Sequence, residues 1–520
     1  MNLSVDEAHY ALYGLHLDWS YFDHPPMVGW LNALPARFFP SDFGMRVLPI
    51  LLYALSNWIL YQLTLRLFTH RNHPQAPWLG FWTLVLLNSG LMMQLLSQSM
   101  LPDAPLMVFA LLVIWQTLNL RQAPTLKNWA LLGLWLGLAG LSKYTAVTLV
   151  FSLVLLVIYE RRWWWFTLKY ETYNAGITGF LTAVLIATLL ITPVLYWNAT
   201  HDWISILYQL NHGTYNPDWS WQRVLQSQAA QFILYNPILY LFGLWLMAKG
   251  AFTLKAKPDT ADSHIRLLAL FALPIVLLFT ASSGYELTLP HWTQLAWLFI
   301  APAVTYWLWT HWQHRWLKRI TLGTTAFSLG LTALLLSHIF TPWLPFPPGK
   351  NPVQELHGWD EAMAQAKNFQ QTLPDHPPFF AANWTQASHI GWYGRPQPVF
   401  VADNRFDQFD LWYGNPPADS SGIVIVPNYE SSYKQYEALS QISAKNAKIP
   451  SPAGFQRCEK LHDLPIIRAG HLIVTYHFYH CHGFRPPHYQ GWVTQLPHLS
   501  QLLKGQIKGQ IKGHLHEQSD

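Results

Sequence analysis

Carboxylates and histidines gather near the start of the chain, in the stretch DEAHYALYGLHLDWSYFDHPPMVGW, residues 6–30. The stretch is too polar to cross a bilayer, yet apolar segments follow it for about 300 residues. A carboxylate at a membrane–water boundary loses part of its hydration, which raises its pKa towards the range useful for a general base. Asp6 and Glu7 could therefore do acid–base chemistry. Alternatively they only begin a helix, because acids are favoured in a first helical turn.

Two further acids lie beside prolines. Asp23 and His24 precede the two prolines of YFDHPP, which end any helix and hold both side chains on a stiff turn. Asp103, in LPDAP, lies where one apolar run ends and the next begins, and an acid so close to the hydrocarbon indicates a functional site. The alternatives are a structural turn for the first motif and a helix N-cap for the second.

A single cation, Lys143, separates two apolar runs in LSKYT. Such a charge is costly at this depth unless it has an anionic partner, and a lipid phosphate would be one. The alternative is that its ammonium group snorkels to the lipid headgroups. The sequence leaves both interpretations open.

Aromatic and polar side chains crowd two more places, the loop that contains His201 and Asp202 and the motif His291–Trp292. Their composition suits contact with sugar faces and hydroxyls, and equally an aromatic belt at the membrane interface. A metal could be held by Asp6 with His9, or by Asp23 with His24, but neither pair has diagnostic ligand spacing. No metal is therefore predicted, and a divalent ion is the less favoured alternative.

The elements that must position these residues are membrane helices. Of the 520 residues, 51% are hydrophobic and 11% charged, against about 25% charged in a soluble protein. With only two cysteines, a cysteine-rich scaffold and a cysteine-based zinc cluster are excluded. About ten segments have the length and apolarity of membrane helices: 43–68, 77–97, 103–122, 128–142, 145–159, 174–197, 228–249, 265–283, 290–310 and 318–340. The fourth and fifth could also be one bent helix.

Charges alternate between the loops that join these segments. Basic residues occupy every second loop, which the positive-inside rule places in the cytoplasm: Arg66, Arg71, Arg121, Lys127, Arg161, Arg162, Lys169, Lys249, Lys255, Lys257, Arg266, Arg315, Lys318 and Arg319. Acids occupy the other loops: Asp6, Glu7, Asp18, Asp23, Asp103, Asp202, Asp218 and Glu286. The candidate site therefore lies on the outer face of the membrane.

The composition changes after residue 340. A proline-rich linker, 341–357, leads to residues 358–500, in which helix-like runs (358–373 and 385–394) alternate with strand-like runs (378–384, 398–403, 422–427 and 471–481). This alternation predicts a small α/β domain with a largely parallel sheet. Its outer location makes a Cys458–Cys481 disulfide plausible, with two unpaired thiols as the alternative. The repetitive tail 501–520 is predicted to be disordered.

The order of the motifs resembles the bacterial family-39 glycosyltransferases of the GT-C superfold, relatives of the protein O-mannosyltransferases and of the aminoarabinose transferase that modifies lipid A. The matching motifs run from residue 6 to about residue 410: DEAHY (6–10), YFDHPP (21–26), LPDAP (101–105), GLAGLSKYTA (137–146), PVLYWNATHDWIS (193–205), PHW (290–292) and GWDEA (358–362). Each motif alone is weak, whereas seven in this order are specific to the family, though not to a substrate.

The resemblance implies an α-helical polytopic membrane protein of the GT-C type with about ten or eleven transmembrane helices. Residues 1–340 would form the glycosyltransferase domain, 1–42 being its first outer loop, and a small extracytoplasmic α/β domain would follow. Such enzymes lie in the bacterial inner membrane and take a sugar from a polyprenyl-phosphate donor. They give it, usually with inversion, to a lipid A, glycan, lipid or protein acceptor on the periplasmic side. Neither a nucleotide sugar nor a nucleic acid partner is expected.

The resemblance also assigns roles. It makes Asp6 the catalytic acid of the first outer loop, with Glu7 beside it, and Asp103 the assisting acid of the next. We expect Asp6 to act as base, and Lys143, with Arg46 or His24, to meet the phosphate. The family has a lysine where this chain has His24, and a neutral histidine is a weaker partner for an anion.

Two other functions are consistent with the composition. A transporter or lipid flippase would show charges in mid-helix and paired broken helices, whereas the acids here lie at segment ends. A non-catalytic scaffold would use the outer domain to contact partners. The family also has a membrane helix directly before its Asp-Glu pair, so we expect that such a helix precedes residue 1 in the natural protein.

Overall fold

The computed structural model of the chain describes residues 1–68, 76–160, 173–211, 218–253, 259–347, 349–430 and 454–487, with the shorter pieces 432, 434, 436–437, 440, 489 and 492–497. Two bodies make up this part of the chain, a helical bundle up to residue 340 and a smaller body of helices and strands after it. The tail 501–520 lies outside the described residues, as do Arg71, Arg161, Arg162, Lys169, Lys255 and Lys257.

The bundle is built from helices of very different lengths. Within the described residues these are α1 (Val5–Leu15), α2 (Met27–Phe38), α3 (Asp42–Phe68), α4 (Ala76–Asn88), α5 (Leu91–Gln98), α6 (Asp103–Gln122), α7 (Leu126–Ser142), α8 (Val147–Tyr159), α9 (Tyr173–Thr200), α10 (Ile204–Asn211), α11 (Trp221–Tyr235), α12 (Pro237–Phe252), α13 (Ala261–Ser283), α14 (Gln294–Thr310) and α15 (Arg315–Phe340). Short 3₁₀ turns, Tyr144–Ala146 and Pro290–Thr293, precede α8 and α14.

Five of these helices are long and apolar enough to cross a membrane by themselves, namely α3, α6, α9, α13 and α15. Two sharply bent pairs, α4 with α5 and α11 with α12, raise the number to seven if each pair is one span. The chain is thus a multi-pass membrane protein, whereas the predicted ten or eleven crossings are not established by these helices. The predicted segments 128–142 and 145–159 form two helices, with a 3₁₀ turn between them.

The prediction of one continuous helix over residues 228–249 is wrong. It is broken between Tyr235 and Pro237, and the flanking helices α11 and α12 meet at 117°. Proline disfavours the helical conformation of the residue before it, and Asn236 adopts a positive φ of 108°. The Asn236 side chain accepts a hydrogen bond from the backbone N–H of Ile238 at 2.9 Å, which caps α12. Its amide nitrogen donates to Ser89 Oγ at 2.8 Å, beside the bend between α4 and α5.

The smaller body contains α16 (Trp359–Thr372), α17 (Trp384–Gly394), α18 (Gln408–Tyr413) and one five-stranded sheet. The strands are β1 (Phe379–Ala381), β2 (Val399–Val401), β3 (Gly422–Pro427), β4 (Arg457–Arg468) and β5 (His471–His482), in the spatial order β2-β1-β3-β5-β4. β2, β1 and β3 are parallel, as predicted, but β5 runs antiparallel to both β3 and β4. The sheet is therefore mixed rather than largely parallel.

The strand β4 was not predicted. Its sequence, RCEKLHDLPIIR, is polar and contains a proline, and most of its side chains are at least partly exposed because it lies at the sheet edge. An edge strand needs only one apolar face and tolerates proline, so its sequence signal is weak. Cys458 on β4 is paired with Cys481 on β5, and a disulfide joins them.

The amino-terminal residues, predicted as an outer loop, form two helices. α1 packs against α2 and also against α17 of the smaller body. Leu3, Ala8 and Leu12 belong to the same apolar cluster as Trp359 and Phe379. A second and larger cluster fills the bundle itself, from Tyr10 to Leu317. Helix α1 thus lies between the bundle and the sheet, and its side chains face both.

Candidate active site

The Asp-Glu pair opens helix α1. Ser4 is its N-cap, and the Ser4 hydroxyl and the Glu7 carboxylate form a reciprocal capping box. Glu7 also receives two hydrogen bonds from Arg46 on α3, from Nε at 2.8 Å and from Nη2 at 2.9 Å. Both side chains are almost completely buried. Glu7 and Arg46 therefore form a buried ion pair, and this pair fixes the start of α1 against α3.

The Asp6 carboxylate has a different environment. It is partly exposed, and no hydrogen bond or ion pair joins it to another side chain in the described part of the chain. Burial raises its pKa to about 6, and the charges of Asp23, Asp103 and Glu7 act in the same direction. The Lys143 ammonium opposes this effect. Asp6 is thus a free carboxylate that is ionised at neutral pH and basic enough to take a proton.

Asp103 and Lys143, far apart in the sequence, meet in a buried ion pair. Asp103 is the first residue of α6, after Pro102, and Lys143 lies where α7 ends. Lys143 Nζ is 2.8 Å from each oxygen of Asp103, and the two residues are 7% and 3% exposed. An ammonium group has three donors, and two of them are used here. One N–H therefore remains for a further acceptor.

Asp23 is held by a hydrogen-bonded chain that begins on α1. The Tyr13 hydroxyl donates to Asp23, and His9 Nε2, one helical turn before Tyr13, lies 3.1 Å from the same hydroxyl. Because the Tyr13 proton points to Asp23, the tautomer of His9 that carries its proton on Nε2 fits this chain. Burial lowers the pKa of His9 to about 4, so that the ring is neutral at pH 7. His24 Nε2 lies 4.0 Å from Asp23 Oδ2.

His291 belongs to the same group of residues, and its neighbour Trp292 packs on the apolar core of the bundle. Burial lowers the pKa of His291 to about 4, the Asp103 charge raises it, and the Lys143 charge lowers it. These effects place the imidazole within electrostatic range of the buried pair. The Trp292 ring lies 5.5 Å from that of Phe279 and packs on the core of the bundle.

His201 and Asp202 form the turn after α9. The His201 ring stacks on Trp197 at 4.0 Å, and its Nδ1 is 2.8 Å from the carbonyl oxygen of Trp197. Asp202 has a positive φ of 54°. Trp197 in turn donates from Nε1 to Asp18 at 2.9 Å. The geometry thus connects this turn with the amino-terminal stretch through Trp197.

Arg405, which the motif search missed, faces the same region from the smaller body. Its guanidinium group is exposed, donates from Nη2 to the Tyr208 hydroxyl at 3.0 Å and lies 5.6 Å from the Trp384 ring. Trp384 is 5.2 Å from His9, and the Arg405 charge contributes to the lowered pKa of His9. Arg405 closely follows the carboxyl end of β2, a place where parallel sheets commonly carry binding residues. That position was the signal available in the sequence.

A second missed residue is Glu355, in the 3₁₀ turn Gln354–Leu356 of the linker. Burial raises its pKa to about 7, and the nearby charge of Asp6 is the next largest cause. No pattern in the proline-rich linker indicated this acid. Within the described residues, no three His, Cys, Asp or Glu side chains are arranged to hold a metal ion.

Comparison with known proteins gives a consistent result. Residues 23–197 match the family described as dolichyl-phosphate-mannose-protein mannosyltransferase. The curated lipid A galacturonosyltransferase RgtD of Rhizobium johnstonii is 23% identical over 418 residues, which are 79% of this chain and 77% of that protein. The crystal structure of ArnT from Cupriavidus metallidurans in the apo state has a TM-score of 0.54 and 13% identity, covering 92% of this chain and 94% of that chain.

These matches confirm the resemblance inferred from the motifs. The likeness to ArnT shows the fold, a mostly helical GT-C architecture with a small carboxyl-terminal sheet. The family match and the curated relative are both glycosyltransferases. The chain is therefore an enzyme of the glycosyltransferase class, and the transporter and scaffold hypotheses are not retained.

Proposed function

We propose that this family-39-like GT-C glycosyltransferase moves a sugar from a polyprenyl-phosphate carrier to a hydroxyl group outside the cytoplasm. The match to a lipid A galacturonosyltransferase over most of both chains favours an acceptor of the lipid A type. Other glycans, lipids and proteins are the remaining acceptor classes. The proposal places the enzyme in the inner membrane with Asp6 towards the periplasm, in agreement with the acids at this end of the bundle and the positive-inside rule.

In the proposed reaction the acceptor hydroxyl oxygen attacks the anomeric carbon of the donor sugar. The bond from that carbon to the phosphate oxygen breaks, and polyprenyl phosphate leaves on the opposite face, which inverts the anomeric configuration. The hydroxyl proton passes to Asp6, the unpaired carboxylate. A phosphate is already a fair leaving group, so base help and charge stabilisation are the main demands on the protein.

Asp103 and Lys143 would act as one unit. The two hydrogen bonds from Lys143 fix the Asp103 carboxylate, which can then orient the acceptor through a free lone pair. The third Lys143 proton can meet an oxygen of the departing phosphate. Because burial weakens the screening by water, a single such contact is worth more here than at an exposed site.

A second cation for the phosphate is supplied, in this proposal, by Arg405. Arg46, the residue first expected in this role, already binds Glu7 through two nitrogens. Arg405 uses Nη2 for Tyr208, and its guanidinium group is exposed towards the Asp23 side of the site. A planar guanidinium is well suited to two parallel hydrogen bonds with phosphate.

The observation that carries the proposal is the Asp6 carboxylate, which is unpaired among the described residues and lies within electrostatic range of the Asp103–Lys143 pair. We expect Asp6→Asn to lower kcat by about 10²–10⁴-fold, the usual contribution of a general base, with little change in donor binding. The measurement is sugar transfer by the purified enzyme from a polyprenyl-phosphate donor to lipid A.

Asp218→Asn is the matched control, because Asp218 is an exposed acid in a loop between helices. The control should keep nearly full activity. Wild-type turnover by Asp6→Asn would contradict the assignment of the base, whereas failure of the wild-type enzyme with every polyprenyl-phosphate sugar would contradict the donor class.

A further inference from the structure

A polar cavity lies at the end of the bundle away from the candidate active site. It has a volume of about 390 Å³. The side chains that matter in its wall are Arg66, Arg121, Gln122, Asp259, His264 and Tyr306. Arg66 and Arg121 lie near the carboxyl ends of α3 and α6, whereas Asp103 of the candidate active site begins α6. Eighteen helical residues from Asp103 to Arg121 span about 27 Å. The cavity is therefore separate from the active site.

Buried charge supports the wall of this cavity. Arg121 and Arg266 both donate to Glu160, Arg266 at 3.0 Å, and their side chains are 9% and 5% exposed. The Nε atoms of both arginines are buried, without a hydrogen-bond partner among the described residues. A ligand in the cavity would therefore meet the terminal nitrogens of Arg121, which the shared carboxylate holds in the wall.

Arg66 is held in place in the wall of the same cavity. It donates to Asn119 Oδ1 at 2.8 Å and to Gln122 Oε1 at 3.2 Å, and it lies 4.8 Å from the Trp115 ring. Arg66, Arg121 and Asp259 line the cavity, and Arg266 and Glu160 lie behind its wall. Among these described residues three guanidinium groups stand against two carboxylates, so that positive charge is in excess. Such an excess in a cavity with fixed guanidinium groups suits an anion.

Orientation in the membrane does not by itself explain this arrangement. The positive-inside rule is met by exposed basic side chains such as Arg319 on α15, which need no partner and no cavity. Burying two arginines around one glutamate costs desolvation that an exposed lysine would avoid. Guanidinium groups at the mouth of a cavity near the ends of membrane helices are typical of sites for phosphate headgroups.

We propose that this cavity binds a phosphate group, either the headgroup phosphate of an anionic membrane lipid or free phosphate. The phosphate oxygens accept hydrogen bonds from Arg66 and Arg121, and Tyr306 lies at the same wall. The site does not depend on the proposed function of Asp6, because it lies at the opposite end of α6.

The test uses the purified full-length chain and two lipids that differ in headgroup charge, phosphatidylglycerol and phosphatidylcholine. Native mass spectrometry measures the retention of each lipid, and isothermal titration calorimetry measures the binding of inorganic phosphate. We expect at least about tenfold tighter retention of phosphatidylglycerol, or, if the ligand is soluble, saturable phosphate binding instead.

Two variants and one control locate the binding. Gln122→Glu places a carboxylate beside Arg66, where it competes with phosphate and preserves the local hydrogen bond, so the fold should be kept while the preference is lost. Arg66→Gln should weaken binding by about tenfold, the effect of losing one hydrogen bond to a charged group. Arg319→Gln removes the same charge outside the cavity and should change nothing.

The results distinguish a lipid headgroup from free phosphate as the ligand. Loss of phosphatidylglycerol preference in both variants supports a lipid headgroup, and loss of inorganic phosphate binding in both supports free phosphate. Equal retention of both lipids with no phosphate binding would overturn the proposal. It would be overturned equally by a preference that survives in Gln122→Glu and Arg66→Gln.

Discussion

At the scale of single residues, the two neighbouring acids of the Asp-Glu pair have opposite environments. Glu7 is buried, belongs to the capping box and is held by Arg46, whereas Asp6, one position earlier, is partly exposed and has no side-chain partner in the part of the chain that the structure describes. A helix turns by about 100° per residue, so adjacent side chains face different surroundings. The division of roles between Asp6 and Glu7 follows from this rotation: one acid positions the helix and the other is available for chemistry.

The raised pKa of Asp6 predicts the pH dependence of transfer. A general base must be unprotonated, so kcat/KM should fall as the pH drops through about 6, the pKa of Asp6, rather than near the ordinary value of 3.8. Asp23→Asn removes a negative charge that raises this pKa, and the acidic limb should move to lower pH. The measurement is kcat/KM from pH 4.5 to pH 8, in both proteins; an acidic limb at the same pH in Asp23→Asn would argue against Asp6 as the titrating group.

A second residue-scale prediction concerns Arg405. Arg405→Gln should raise KM for the donor about tenfold, because one charge-assisted hydrogen bond to the phosphate is lost. Arg405→Lys keeps the charge without the planar fork, and we expect an intermediate KM. The matched control is Arg457→Gln, at the opposite edge of the sheet, with an exposed side chain. Equal donor KM values for wild type and Arg405→Gln would exclude the contact.

At the scale of elements, a hydrogen bond connects two breaks between helices. Asn236 caps α12 and also donates to Ser89, so one side chain joins the break between α11 and α12 to the bend between α4 and α5. Thr332 of α15 donates to the Ser89 carbonyl oxygen at 3.0 Å and adds a fifth helix to the same point. Buried backbone groups freed by a broken membrane helix need such partners, because no water is available to them.

Asn236→Ala should therefore destabilise the bundle. Loss of the cap costs about 1–2 kcal/mol, and loss of the hydrogen bond to Ser89 Oγ adds to this. The measurement is the unfolding temperature in detergent. Asn368→Ala, an exposed position on α16, is the control and should leave the temperature almost unchanged. An Asn236→Ala protein as stable as the control would show that the bend does not need its cap.

Sequence reasoning was most successful for the elements whose pattern is local. Strand β3 was predicted with its observed bounds, 422–427, because a continuous apolar run between turn residues is a strong signal. Local patterns could not reveal contacts such as Glu7 with Arg46, 39 residues apart, or Asp103 with Lys143, 40 residues apart. A lone cation in an apolar run indicated that an anionic partner exists, but only tertiary packing selects Asp103 rather than a lipid.

At the scale of the whole molecule, the two ends of the bundle carry different chemistry. Acids and histidines collect at the end that meets the sheet, and arginines collect around the cavity at the other end. The number of membrane crossings could not be read from the sequence, since apolar length does not distinguish a straight helix from a pair bent at 90° or 117°. Charge placement predicted the common location of the site residues better than it predicted the crossings.

The proposed orientation can be tested by chemical labelling. Single cysteines are placed at the exposed residues Asp18 and Arg319, at opposite ends, in a variant without Cys458 and Cys481. A maleimide that cannot cross membranes should label residue 18 in cells with a permeabilised outer membrane, and residue 319 only after the inner membrane is lysed. The reverse pattern would place the candidate active site in the cytosol and contradict the proposed orientation.

The position of α1 has a consequence for engineering. Asn2 and Leu3 are hydrogen-bonded to Leu356, Trp359 and Tyr393, and the apolar face of α1 packs on α17. By its packing, the helix that carries the proposed base is as much a part of the carboxyl-terminal body as of the bundle. A chimera that exchanged only residues 341–500 with a relative would separate Asp6 from its own support. Grafts meant to change acceptor choice should therefore transplant residues 1–15 along with the terminal body.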